Sequence, residues 1–173
     1  MSNFSPKMYC QDVFHINYSL LKEMNIKVLI FDLDNTIIKI GDDLPNDDVK
    51  ELFTELSNDF TILIASNNIK PRVRRIGDYL GVHSFYSVLK PTTRLKRLLI
   101  KEIGNDFSTM AIIGDQIVTD IYLGNKLHIL SILVDPMGDK DLFVTYFNRW
   151  LEKRIMKKLE LKRGGYYEKN KVL

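Results

Sequence analysis

The sequence predicts an α/β fold: a parallel sheet of about five strands with helices on both faces, in the three-layer, Rossmann-like arrangement. Short apolar segments rich in β-branched residues alternate along the chain with longer segments of helical periodicity, as in strands joined by crossover helices. Polar residues follow the apolar segments, and in a parallel sheet such residues gather at the carboxyl edge. No repeat or linker divides the 173 residues, so a single domain over 1–173 is expected.

Residues 1–18 show no regular pattern and are expected to lie over the core, which should run from about 19 to 140. Ser19 is a candidate cap for a short helix over 20–24. The first strand is predicted over 26–31, where five of the six residues are apolar, as in a strand that is buried on both faces.

Strands and helices then alternate. The further strands are short apolar runs, predicted at 60–65, 85–89, 110–113 and 129–134. The further helices are predicted from Asp47 or Asp48, from Pro71 to Gly81, from Thr92 or Thr93 to 103, from after 120 to about 125, and over 142–161.

Two aspartates, Asp32 and Asp34, come directly after the first strand, and Thr36 adds a hydroxyl. A carboxylate at the end of a buried strand costs free energy unless it binds a cation or accepts hydrogen bonds, so the pair predicts a functional site. The main alternative is a calcium loop, which requires glycine where Ile37 stands and a glutamate further on. The sequence fails on both positions.

Ser66, Lys90 and Asp115 each follow another predicted strand. Because the carboxyl ends of parallel strands share one edge of the sheet, we expect all three to meet Asp32 there. Taken singly, each is also an ordinary residue of a turn, a solvated loop or a helix start. Their coincidence at successive strand ends favours one site.

This set suits phosphoryl transfer, which requires a nucleophile, a proton donor for the leaving oxygen and positive charge near the phosphoryl oxygens. Asp32 is the candidate nucleophile, forming an aspartyl phosphate, and Asp34 is the candidate acid and base. Ser66, the Asn67 backbone N–H and Lys90 are the candidate phosphate ligands.

A divalent metal is also predicted, because Mg²⁺ is a hard cation that carboxylate oxygens bind. The predicted metal set is Asp32, Asp34 and Asp115, and Thr36 and Asp120 are expected to support the site.

Four segments, FDLDNTII, IASNN, KPTTR and IIGDQIVTDIYLGN, together resemble the motifs of subclass IIIA phosphatases of the haloacid dehalogenase-like (HAD) superfamily. From about Tyr9 to Leu161 the chain resembles the bacterial YqeG group, which is similar to the mitochondrial phosphatidylglycerophosphate phosphatases of fungi. The resemblance implies a HAD-like phosphatase domain, Mg²⁺ as cofactor, and the residue roles given above. It also implies phosphatidylglycerophosphate as the substrate.

The intervals between the motifs are short: 31 residues separate Asp34 from Ser66, and 23 separate Ser66 from Lys90. One helix and one strand fill each interval, so the fold is predicted to be capless and the site open. An open site suits a bulky ester, such as a lipid headgroup, a nucleic-acid end or a protein, better than a small sugar phosphate that needs enclosure.

The basic charge is concentrated late in the chain: nine Lys or Arg against three Glu from Arg149 onward, within a net charge of +3. The predicted helix over 142–161 has an apolar stripe, formed by Phe143, Phe147, Trp150, Leu151, Ile155 and Leu159. Basic residues flank the stripe: Arg149, Lys153, Arg154, Lys157, Lys158 and Lys162. Such a helix can lie on an anionic membrane. The alternative is that the stripe packs on the sheet or on a second subunit. Packing of the stripe and membrane contact are compatible if only the basic side of the helix faces lipid.

A single cysteine, Cys10, excludes an internal disulfide and fits a reducing compartment. No signal peptide or membrane-spanning run is visible. A cytoplasmic protein is therefore expected, peripheral on the inner membrane face.

The leading prediction is a Mg²⁺-dependent phosphoric monoester hydrolase that converts phosphatidylglycerophosphate to phosphatidylglycerol. One alternative is a HAD phosphatase acting on a nucleic-acid end or a soluble metabolite. Nucleic acid is the less favoured partner, because no basic groove interleaved with aromatic residues is present. Another alternative is a HAD-fold protein that docks on a ribosome or another protein. The presence of all the catalytic residue types argues against this alternative.

Overall fold

The computed structural model describes residues 3–138, 145–162 and 164–168, and the side chains of 145–150 and 168 lie outside that description. Within it, seven strands form one sheet. They are β1 Met8–Cys10, β2 Val28–Phe31, β3 Thr61–Ala65, β4 His83–Phe85, β5 Met110–Gly114, β6 Leu130–Val134 and β7 Tyr167–Glu168. The strand order is β4-β3-β2-β5-β6-β1-β7. The first six strands are parallel, and β7 pairs antiparallel with β1.

Among the described residues, six α-helices connect or flank these strands: α1 Tyr18–Glu23, α2 Asp47–Leu56, α3 Lys70–Leu80, α4 Arg94–Glu102, α5 Tyr122–Leu127 and α6 Thr145–Lys158. A π-helical turn, Ile117–Ile121, precedes α5. The Asn46 side chain caps α2 by accepting a hydrogen bond from the Val49 N–H at 3.1 Å. Gly81 ends α3 in the left-handed conformation, with φ 69°, which glycine adopts without steric cost.

Helices cover both faces of the sheet, which confirms the three-layer prediction. On β2, Leu29 and Phe31 pack into one cluster with residues of α1, α2 and α3. Val28 and Ile30 point the other way and pack with residues of α4 and α5. The alternation follows from the two-residue period of a strand. Each interval between the motifs holds one helix and one strand, as the capless prediction requires.

The N-terminal prediction was wrong. Residues 8–10 are β1, a buried strand that lies beside β6, with Tyr9 opposite Leu133. Three residues are too few to show a periodic pattern, and their partner strand lies more than 120 positions away along the chain. The local sequence therefore carried no signal for this strand.

The strand predicted at 85–89 was also wrong, since β4 ends at Phe85. Ser87 and Leu89 have positive φ angles of 47° and 58°, which a strand does not allow. The N–H groups of Ser87 and Val88 bond to the carbonyls of Asn68 and Ser66 at 3.0 and 3.1 Å. The apolar run is a loop packed on the end of β3, and Lys90 follows that loop.

The C-terminal helix α6 packs its apolar side on the molecule. Met156 is buried, and with Ile155 and Leu161 it contacts Ile117 and Ile121 of the π-helical turn. The basic residues Lys153, Arg154, Lys157 and Lys158 are exposed. The predicted helix start at 142 and Phe143 lie outside the described residues, as do the side chains of Phe147, Arg149 and Trp150.

In the part of the chain that the structure describes, no helix has the length and apolar character needed to cross a membrane.

Candidate active site

The site lies at the carboxyl edge of the sheet, where β2 and β5 end side by side. The Asp32 N–H continues the ladder by donating to the Ile113 carbonyl at 2.8 Å. Asp32 is 8% exposed, and Asp115, which follows β5, is fully buried. Asp32 and Asp115, the first polar residues after these two parallel strands, thus lie close together, as the sequence predicts.

Lys90 links the two acidic motifs. Its Nζ donates to Oδ1 of Asp32 at 2.5 Å and to Oδ1 of Asp120 at 2.6 Å, and all three residues are buried. The Asn67 side chain fixes the lysine backbone, accepting from the Lys90 N–H at 2.7 Å and donating to the Lys90 carbonyl at 3.2 Å. Asn67 therefore positions Lys90 through its side chain, in addition to the backbone role predicted for it.

The charges in this cluster shift one another's protonation. Burial raises the pKa of Asp32 to about 7, with Asp120 and Asp34 adding to the effect and Lys90 opposing it. Burial lowers the pKa of Lys90, but the carboxylates of Asp120 and Asp32 outweigh it and hold that pKa above its usual range. The lysine is a permanent cation beside the candidate nucleophile.

Three carboxylates are close enough to hold a metal ion: oxygens of Asp32, Asp115 and Asp120 all lie within 4.8 Å of one another. Gly114 makes room for this arrangement, since a Cβ there would lie 2.4 Å from Cγ of Asp120. Buried carboxylates are the donors that a hard divalent cation prefers. The residues present therefore fit the divalent metal that the sequence predicts.

Asp34, which was also predicted as a metal ligand, is not one of the three carboxylates in this group, and its own carboxylate bonds to two other side chains. Oδ1 of Asp34 accepts from Arg72 at 3.0 Å, and Oδ2 accepts from the Asn68 side chain at 3.0 Å. Both donors come from the start of α3 and the loop before it. These two bonds fix the direction of the Asp34 carboxylate. A metal-ligand role for Asp34 stays a prediction.

Affinity for Mg²⁺ is expected to fall as the pH drops below about 7. The pKa of Asp32 is raised, so at lower pH the metal must displace a proton, and affinity should decrease by up to about tenfold per pH unit. Isothermal titration with Mg²⁺ between pH 8 and 5.5 measures this, and two buffers of different ionisation enthalpy report the proton released. An affinity that stays constant across this range would contradict the assignment of Asp32 as a ligand.

Arg72 is a positioning residue for Asp34. Besides the ion pair, its guanidinium donates to the Asp42 carbonyl at 2.7 Å, which fixes its direction. Replacing Arg72 with Ala is expected to lower kcat about 10- to 100-fold, because Asp34 is then free to turn from its productive orientation. Arg72→Lys should restore part of the rate.

The control for this prediction is Arg75→Ala on the same helix, since Arg75 pairs with Asp43 at the surface. Pre-steady-state assays with p-nitrophenyl phosphate give a second readout. Slower water activation in Arg72→Ala should produce a burst of nitrophenolate, which a loss of folded protein alone would not. Equal kcat for wild type and Arg72→Ala would refute the role.

The remaining predicted residues lie at the same edge. Ser66 is buried, and its hydroxyl accepts from the Asn68 N–H at 3.0 Å. Thr36 is buried, and its hydroxyl has no hydrogen-bond partner among the described residues. Asp120, predicted as a supporting residue, is instead a direct partner of Lys90. Ligand roles for Ser66 and Asn67 and the support role of Thr36 stay predictions.

Sequence reasoning missed Asn68 and Glu152. Asn68 adjoins the predicted Ser66-Asn67 pair, and its position next to them was the available signal. Glu152 is buried in α6 and accepts a hydrogen bond from the Ile117 N–H, two residues after Asp115. That contact spans 35 positions and has no local signal. It ties the C-terminal helix to the loop that carries two of the metal-cluster aspartates.

Comparison with known proteins places these features in a family. The family model of haloacid dehalogenase-like hydrolases matches residues 38–127. The probable phosphatase YqeG of Bacillus subtilis (strain 168) is 35% identical to this chain over 168 residues, which are 95% of each protein. The similarity to YqeG thus covers every residue of the candidate site.

Solved structures share the fold. A protein of Listeria monocytogenes serotype 4b matches with a TM-score of 0.55 and 14% identity, over 68% of this chain and 85% of its own. The cobalt-bound deoxy-D-mannose-octulosonate 8-phosphate phosphatase (YrbI) of Haemophilus influenzae matches with a TM-score of 0.50 and 22% identity, over 79% of this chain and 90% of its own. At these identities the likeness establishes the fold alone.

Proposed function

We propose that this chain, which belongs to the haloacid dehalogenase-like hydrolases and is a phosphatase of that family, hydrolyses phosphatidylglycerophosphate to phosphatidylglycerol with Mg²⁺ as cofactor. The observation that carries the chemistry is Lys90, which holds Asp32 and Asp120 together at 2.5 and 2.6 Å. This contact fixes a positive charge beside a buried carboxylate. A carboxylate that attacks phosphorus requires such a charge close to the phosphoryl oxygens.

The reaction proceeds in two steps on the chain's own residues. A carboxylate oxygen of Asp32 attacks phosphorus, the bond from phosphorus to the ester oxygen breaks, and Asp34 donates a proton to the departing alcohol. Water, deprotonated by Asp34, then attacks the aspartyl phosphate, releasing inorganic phosphate and regenerating Asp32. Arg72 contacts Oδ1 of Asp34 at 3.0 Å and orients the carboxylate for both proton transfers.

Phosphoryl oxygens are bound during both steps. Lys90 offers its ammonium group, and Ser66 with the Asn67 N–H offers hydrogen bonds. Asp32, Asp115 and Asp120 would hold a divalent cation, which when bound would supply Lewis-acid charge to the phosphoryl group.

Two features support a lipid as substrate. The intervals after Asp34 and after Ser66 contain no inserted cap, so a phosphate on a bulky body can reach Asp32. The exposed basic side of α6, defined above, offers contact with an anionic membrane at the inner face of the cell. The resemblance of the motifs to phosphatidylglycerophosphate phosphatases selects this lipid among anionic phosphomonoesters.

Phosphate release decides between substrates. Wild-type protein and Asp32→Asn are assayed with Mg²⁺ on phosphatidylglycerophosphate in mixed micelles, on soluble sugar phosphates, and on an oligonucleotide with a 3′-phosphate. We expect wild-type protein to release phosphate from the lipid much faster than from the other esters, and Asp32→Asn to release none. Asp32-dependent hydrolysis of soluble esters or the oligonucleotide, with the lipid untouched, would discard the lipid assignment and retain the chemistry.

A further inference from the structure

A second basic region lies in the segment that contains Ser66 and Lys90. From Ser66 to Lys101 the chain carries nine Lys or Arg and one acidic residue, Asp78. Three of these cations are engaged: Lys90 in the site, Arg72 with Asp34, and Arg75 with Asp43. The other six form no ion pair with the described residues: Lys70, Arg74, Arg94, Lys96, Arg97 and Lys101. The total charge of +3 conceals this region, because acidic residues elsewhere balance it.

The cations that begin α3 and α4 lie at the same edge of the sheet as Asp32. Lys70 opens α3 four residues after Ser66, and Arg94 opens α4 four residues after Lys90. Helices that follow parallel strands start at the carboxyl edge of the sheet. Lys70 and Arg74 also lie over the Tyr86 ring, at 5.5 and 5.8 Å from its centroid, which draws them toward the loop that precedes Lys90.

Two aliphatic side chains project from this edge. Ile69 is 65% exposed and Leu89 is 55% exposed, the highest values for large hydrophobic residues in the described part of the chain. They stand directly beside Asn68 and Lys90, on loops joined by backbone hydrogen bonds. A single exposed aliphatic residue is ordinary, but two that adjoin the same site on joined loops indicate a contact surface.

We propose that Ile69, Leu89, Lys70, Arg74 and Arg94 form a docking face for the surface of an anionic phospholipid bilayer. The two aliphatic side chains enter the interfacial region, and the cations contact lipid phosphates, a combination typical of peripheral membrane proteins. The face adjoins the open site at Asn68 and Lys90, so a phosphomonoester headgroup meets Asp32 while its acyl chains stay in the bilayer. This inference deepens the proposed function and rests on it for the identity of the substrate.

Single-stranded nucleic acid is the competing polyanion. Proteins that bind it place exposed aromatic rings among the cations, on which bases stack. Here the exposed apolar residues, Ile69 and Leu89, are aliphatic. Tyr86 is half-buried beneath Lys70 and Arg74. The side chains at this edge therefore favour lipid.

Sedimentation with vesicles of phosphatidylglycerol and phosphatidylcholine tests the docking face. One variant combines Ile69→Ser with Leu89→Asn, since Ser is a good residue for the N-cap position of Ile69 and Asn tolerates the positive φ of Leu89. A second combines Lys70→Glu with Arg74→Glu. Each is expected to weaken vesicle binding at least about tenfold at low ionic strength, with thermal melting confirming that the variants are folded.

Two controls locate the effect. Ile103→Ser removes an exposed apolar residue at the opposite edge of the sheet, beside the first residues of β3 and β4, and should bind vesicles as wild type does. Lys153→Glu with Lys157→Glu reverses the same number of charges on α6 and should weaken binding less than the reversal at Lys70 and Arg74.

Several results would overturn the docking face. These are wild-type protein that does not sediment with the vesicles, docking-face variants that bind like wild type, or a loss confined to the α6 variant. Gel shift of single-stranded DNA that depends on Lys70 and Arg74, with no vesicle binding, would assign the face to nucleic acid. The vesicles contain no phosphomonoester, so binding is measured apart from hydrolysis. Docking without lipid hydrolysis would retain this face and remove the proposed substrate.

Discussion

Asp32→Asn is expected to lower phosphatase activity at least about 1,000-fold, because the amide cannot serve as the nucleophile that accepts the phosphoryl group. The substitution has nearly the same shape and leaves Lys90 its second partner, Asp120, at 2.6 Å. The folded structure should therefore persist. Phosphate release on any accepted ester measures the loss of activity.

The same substitution has an expected effect on stability, with a defined sign. Burial raises the pKa of Asp32 to about 7, from 3.8. Between these values the unfolded chain loses a proton that the folded protein keeps, so this group lowers the free energy of unfolding as the pH rises from 3.8 to 7. Asn carries no such cost. Metal-free Asp32→Asn should therefore melt at or above the temperature of wild type at pH 8. Substantial remaining activity, or a much lower melting temperature, would contradict the role given to Asp32.

Lys90→Met is expected to give the largest loss of stability. Without the ammonium group, Asp32 and Asp120 are two buried carboxylates that face each other without their shared cation. Removing one partner from a buried ion pair typically costs about 3–5 kcal/mol. The free energy of unfolding in urea, measured without metal at neutral pH, should fall by about that amount. Activity should fall with it, because the phosphoryl group loses its fixed positive charge.

Two comparisons separate this effect from a general loss of packing. Lys96→Met on α4 replaces an exposed lysine and should change stability little. Lowering the pH protonates Asp32, whose pKa burial raises to about 7, and should narrow the difference in the free energy of unfolding between Lys90→Met and wild type. A Lys90→Met protein as stable as wild type at neutral pH would refute the buried cluster.

The site was predictable in outline because its chemistry sits at strand ends. Asp32 and Asp115 follow apolar runs that the structure shows as β2 and β5, and any parallel sheet brings such positions together. Lys90 was assigned correctly to the same edge although the strand predicted to precede it, 85–89, ends at Phe85. The loop that carries it is held by hydrogen bonds to Ser66 and Asn68, and its sequence resembles a strand because Val88 and Phe85 are buried.

Long-range contacts could not be predicted. One partner of Asp34 is Arg72, which lies 38 positions away and binds its carboxylate. Glu152 reaches the Ile117 N–H from α6, and β1 joins β6 across most of the chain. The basic region from Ser66 to Lys101 was visible in the sequence, but only the segment from Arg149 onward was counted separately.

Trapping the phosphorylated enzyme tests the central claim, that Asp32 is the nucleophile. Asp34→Asn is mixed with p-nitrophenyl phosphate and Mg²⁺; this leaving group needs no acid, while the second step lacks its base, so the intermediate accumulates. The sample is quenched with acid, reduced with borohydride, digested and analysed by mass spectrometry. Asp32 is expected to be converted to homoserine. Nitrophenolate release with Asp32 unmodified, or with another residue reduced, would contradict it.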